Sequence, residues 1–135
     1  MRMDEKDEMI LEMLRKNSRT PNVEIAKAVD LTEGAVRRRI DNLKKSGTIA
    51  RFTIDTKGAS SYAIVMVKAT KDSKQMMGDI RALGITKDAY EISGDYDGCL
   101  ILEGNTIEEI DKKIDALRQQ KSVAGTKTFM SFGRW

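Results

Sequence analysis

Apolar residues in the first third of the chain recur at helical spacing. Between Asp4 and about Lys16, Ile10, Leu11 and Leu14 fall on one face, and acidic residues fill the first turns, where a helix dipole favours them. Asn17-Ser18 interrupts the pattern. Thr20-Pro21 predicts a second start, with a hydroxyl N-cap and proline at the first helical position. That helix turns Ile25, Ala26 and Val29 inward and ends near Asp30. A third begins at Leu31-Thr32 with Thr32 as N-cap. At about 100° per residue, Val36, Ile40 and Leu43 form its apolar stripe and Gly47 its stop. The run T-I-A-R-F-T-I-D then predicts a strand through Ile49, Phe52 and Ile54.

The second half alternates between the two periods. YAIVMVKA (62–69) reads as a strand rich in β-branched residues. Ser73 to Leu83 reads as a helix with Met76, Met77, Ile80 and Leu83 on one side. Leu83 to Asp88 connects it to a short strand, Ala89 to Ile92. GDYDG (94–98) is a turn and CLILE (99–103) a strand. Thr106 caps a helix carrying Ile107, Ile110, Ile114 and Leu117, and Val123 to Phe132 is a last strand. The order β-α-β-β-α-β predicts a ferredoxin-like αβ sandwich, a four-stranded antiparallel sheet with two helices on one face. The expected fold is therefore α+β, with a winged helix-turn-helix at 1–56, a linker at 57–60 (Lys57 and the small, polar Gly58-Ala59-Ser60) and the sandwich at 61–135.

Composition narrows the chemistry. With one cysteine, Cys99, the chain forms no internal disulfide. Having no histidine, it lacks His-based acid–base catalysis and most zinc sites. Asp95 and Asp97 form a carboxylate pair, but no nucleophile–base pair, phosphate-cradling loop or metal cluster accompanies them, so no catalytic or metal residues and no cofactor are expected. No window carries the long apolar run of a membrane span, and the charged N-terminus is not a secretory signal, so a cytoplasmic protein is expected.

The net charge of +3 is unevenly placed: residues 31–58 hold 7 Lys+Arg against 3 Asp+Glu, whereas residues 59–135 hold 11 of each. A localised basic surface suits phosphate. Arg and Lys on a helix are often only a solvated face. Here, however, two helices joined by a short turn precede a strand, and Gly34-Ala35 permits close approach. A helix-turn-helix brings the N-terminal part of its recognition helix, here Thr32, Glu33, Gly34 and Ala35, to DNA. Arg37 and Arg38 are then the base-edge candidates, and Arg39, Lys44, Lys45 and Arg51 the phosphate contacts, with the following strand as a wing.

The stretch L-T-E-G-A-V-R-R-R-I-D-N-L-K-K-S-G-T-I resembles the recognition helix and wing of the Lrp/AsnC (feast/famine) regulators. So does the upstream D-E-K-D-E-M-I-L-E-M-L…S-R-T-P-N-V-E-I-A, and S-G-D-Y-D-G-C-L-I-L-E-G looks like the family's signature turn. The similarity runs from about Asp4 to Met130. It implies a transcriptional regulator that binds a pseudo-palindromic operator on double-stranded DNA. It further implies a C-terminal domain that dimerises through its sheet, dimers that assemble into tetramers or octamers, and control of amino-acid metabolism genes. A small amino acid would bind between dimers, with the turn as one wall, which by motif means Gly94, Asp95, Tyr96 and Asp97, and with Thr126 and Thr128 supplying hydroxyls from the last strand of a neighbouring dimer. The same turn is also sound hairpin chemistry, and the alternative is an effector-independent DNA-architectural protein of this fold. The chain departs from the family pattern in ending at Gly-Arg-Trp and in lacking a proline in the turn at 83–88.

Overall fold

A computed structural model of the chain describes residues 2–57 and 61–135. Residues 58–60 of the expected linker lie outside the described residues. The chain divides into two compact units, Met1–Thr56 and Lys57–Trp135.

The first unit holds α1 (Glu5–Lys16), α2 (Asn22–Val29) and α3 (Glu33–Lys45). Asp4 caps α1 reciprocally, accepting from the Asp7 amide while the Asp7 side chain accepts from the Asp4 amide. Pro21, not Thr20, is the N-cap of α2. Its extended ψ of 144° keeps it out of the first turn, and the Thr20 hydroxyl donates to the Asn17 carbonyl at 2.6 Å. Asp30 ends α2 in the left-handed region, and the Lys6 ammonium donates to the Val29 carbonyl at 2.6 Å, where a cation meets the negative end of the helix. Thr32 caps α3 by accepting from the Ala35 amide at 3.1 Å. Ile10, Ile25, Ala26, Val29 and Val36 form the core.

No strand forms over residues 48–57. The run has strand-forming residues, but a strand needs a ladder partner, and the rest of the unit is helical. Phe52 and Ile54 stand exposed, while the Ile49 amide donates to the Leu43 carbonyl at 2.9 Å and closes the end of α3.

The second unit contains β1 (Ser61–Ala69), α4 (Ser73–Leu83), β2 (Thr86–Glu91), β3 (Gly98–Gly104), α5 (Ile107–Arg118) and β4 (Val123–Met130). Its antiparallel sheet has the order β2-β3-β1-β4. The β2 strand begins at Thr86, inside the expected connection, and β4 stops at Met130 rather than Phe132. The Ser131 amide makes one further bond to the Tyr62 carbonyl. One face of the sheet is covered: Ala63, Val65, Val67, Leu100 and Leu102 pack with Met76, Ile80, Ile110, Ile114 and Leu117. Ile107, expected on that stripe, is exposed at the first turn of α5. The other face carries Ile64, Met66, Cys99 and Ile101, paired in register, with Phe129 opposite Ile64.

Candidate nucleic-acid interface and sheet-end groove

On α3, Val36 and Leu43 are buried, which turns the opposite side outward. Arg38, Lys44, Lys45 and Arg51 are exposed and have no protein partner among the described residues. Arg37 pairs with Glu33 one turn earlier, both side chains remaining largely exposed; such a surface pair is weak and yields readily to phosphate or a base. Thr32, Glu33 and Gly34 are exposed beside them, and Ala35 is half-buried.

Arg39 behaves differently. Its guanidinium donates to both Asp4 carboxylate oxygens at 2.7 Å and to Asp7 at 3.1 Å. These bonds and the two carboxylate charges raise the Arg39 pKa above its ordinary value, and the hydrogen bond from Arg39 holds the Asp4 carboxyl below its usual range, helped by the Asp7 amide. Arg39 is thus spent on binding α3 to the start of α1 and is withdrawn from the phosphate contacts. It lies on the flank of α3 that faces α1, so a cation there meets the α1 cap before it meets solvent.

The GDYDG stretch joins β2 to β3. Gly94 takes a φ of +128°, a region that disfavours side chains. The Asp97 carboxylate accepts from the Ala69 amide at 2.8 Å, and the Asp97 amide donates to the Val67 carbonyl at 2.9 Å. Asp97 therefore holds the turn to the end of β1, where the register with β4 shifts, and its carboxylate is already engaged. Gly98 is needed for packing, since a Cβ there would lie 2.7 Å from Val67 Cγ2 and 2.9 Å from Met77 Sδ.

Asp95 and Tyr96 line an open groove of about 450 Å³ with Lys68, Ala124, Gly125, Thr126 and Lys127. Of the six expected effector residues, the groove brings together Asp95, Tyr96 and Thr126, while Gly94, Asp97 and Thr128 are not in its lining. Thr126 and Thr128 do share a face, opposite Val67 and Val65, but it is the helix-covered one. The Thr126 hydroxyl accepts from Arg118 Nε at 3.3 Å, and the buried Thr128 hydroxyl has no hydrogen-bond partner among the described residues. The groove residues Lys68, Gly125 and Lys127 escaped the sequence reading. Their signal was strand parity, which places Lys68 and Lys127 on the uncovered face with Ile64 and Met66. A second groove, of about 380 Å³, lies between the start of β2 and the end of β3, where Lys87 pairs with Glu103 at 3.7 Å and the Asn105 amide donates to Glu109 at 2.8 Å.

Residues 3–50 match the family model for winged helix-turn-helix DNA-binding domains. The chain is similar to the HTH-type transcriptional regulator LysM of Sulfurisphaera tokodaii, with 40% identity over 136 residues covering 98% of this chain and 97% of the relative. It belongs to the Lrp/AsnC family of transcriptional regulators. Its fold is that of Escherichia coli AsnC, with a TM-score of 0.78 at 21% identity over 99% of this chain and 95% of the other. The regulator NMB0573 of Neisseria meningitidis, solved in complex with L-Met, matches with a TM-score of 0.79 at 18% identity over 98% of this chain and 91% of that one. This Lrp/AsnC member is a DNA-binding transcriptional regulator and not an enzyme. No described helix is long and apolar enough to cross a membrane.

Proposed function

We propose that this Lrp/AsnC regulator acts in the cytoplasm on pseudo-palindromic operators of amino-acid metabolism genes, its own promoter among them, and responds to a small amino acid. Arg37 and Arg38 read base edges. Lys44, Lys45 and Arg51 hold phosphates, and Thr32, Glu33, Gly34 and Ala35 form the approach surface. The effector site is the groove at the GDYDG turn. The observation that carries this is the exposed carboxylate of Asp95, which lines an open groove and engages no protein donor among the described residues, so it can take an α-ammonium. In support, the Neisseria relative was solved with L-Met. Gly94 and Asp97 shape the turn, and Tyr96 and Thr126 form walls. Thr128, with its unsatisfied hydroxyl on the covered face, serves the site only indirectly.

Within the uncovered sheet face, the apolar patch where Ile64, Tyr90 and Phe129 stand exposed is the homodimer surface from which tetramers or octamers grow, and the end that carries Lys68 and Lys127 is left to the groove. A mass measurement in solution tests this, and a monomer at micromolar concentration would refute it. The effector reading is tested by melting the pure protein with each of the twenty amino acids. A ligand specific to the folded state raises the midpoint by mass action. A shift with one or a few supports the sensor. No shift at millimolar concentration leaves an effector-independent DNA-binding protein.

A further inference from the structure

The groove at the GDYDG turn carries an unbalanced charge. Lys68 on β1 lies opposite Gly125 on β4, and Lys127 lies opposite Met66. The two lysines are therefore diagonal neighbours on the uncovered face, a separation of roughly 7–8 Å that is somewhat less between their Cβ atoms. The Lys68 ammonium donates once, to the Asp95 carbonyl at 2.9 Å. The Lys127 ammonium sits over the Phe129 ring at 5.4 Å. Among the described residues neither pairs with a carboxylate. Two ammonium groups against the single Asp95 carboxylate leave the lining net positive by one. Between the lysines, a Cβ built on Gly125 would meet nothing within 4 Å, so the floor is open just where a ligand would rest.

We infer that this groove selects an amino acid with a second, side-chain carboxylate. The inference rests on the effector reading above. An α-ammonium is matched by Asp95 and an α-carboxylate by one lysine, which leaves the other lysine for a second carboxylate. A neutral amino acid leaves that ammonium unanswered, and a basic one adds repulsion. Charge-assisted contacts of this kind are the strong ones.

The test is calorimetric titration of the intact protein with L-glutamate, its neutral isostere L-glutamine and L-lysine at matched ionic strength. Glutamate is expected to bind about tenfold tighter than glutamine. K68Q and K127Q, exposed substitutions whose folding is checked by their melting curves, should each narrow that ratio to about threefold or less. Glutamine or lysine binding as tightly as glutamate would overturn the inference and leave the effector reading standing. So would a glutamate preference that survives both substitutions. No binding by any of the twenty amino acids would overturn both.

Discussion

Arg37, Arg38 and Arg39 are adjacent in sequence but have three different environments: a surface pair with Glu33, open solvent, and a clasp around two carboxylates of α1. Replacing Arg38 with alanine is expected to weaken binding to a selected operator by roughly 1–3 kcal/mol and to relax its base preference. Anisotropy titrations on operator and scrambled duplexes check this, and equal losses on both would assign Arg38 to phosphate alone. In a series of titrations at rising salt, Lys44→Gln should reduce the slope of log K against log salt by about one. Arg39→Gln should change that slope less and lower the melting temperature more, because its partners are Asp4 and Asp7. The Asp4 carboxyl is held below its ordinary range, so its contribution to stability is complete above the unfolded value of about 3.9. That contribution is lost as the pH falls through the depressed folded value. Acid unfolding followed by circular dichroism should therefore begin at higher pH in Asp4→Asn, which has no such carboxylate.

At the scale of elements, the helices were the most legible part of the fold. Thr32 and Thr106 announce α3 and α5 because a hydroxyl that accepts from the third following amide is a local arrangement. Thr20 offered the same sign and was misleading, since its hydroxyl had a nearer carbonyl to serve at Asn17. Strands were legible where one face is buried, as in β1 and β3. In β2 only the second half was legible: a strand was expected from Ala89, but its start at Thr86 was missed, because the residues after Thr86 are all exposed and carry no alternation. The segment after Gly47 shows the reverse failure: it has strand composition without a partner strand. Asp95, Tyr96 and Thr126 line one groove, but Asp97 turned inward, because only the fold reveals the Ala69 amide waiting for it. Gly98 is the most sensitive point of this region. Gly98→Ala forces a methyl against Val67 and Met77 and is expected to cost about 1–3 kcal/mol in urea unfolding, part of which Met77→Ala should restore.

For the molecule as a whole, a basic helical module followed by a sheet module was readable from charge placement and from the change of hydrophobic period. Assembly was not, because an exposed apolar face states that it needs cover without stating how many copies supply it. One feature joins the modules along the chain. Residues 46–57 are the longest run outside helix and strand among the described residues, and Arg51 stands exposed within them. A protease needs an extended, accessible backbone. Brief trypsin treatment should therefore cut first within this run, after Arg51 or Lys57, leaving fragments that mass spectrometry can identify. If Arg51 rests on phosphate in the operator complex, DNA should slow the cut after Arg51 more than the cut after Lys57 and more than cuts in the sheet module. The rate of a single scission would then report when the regulator is seated on its operator.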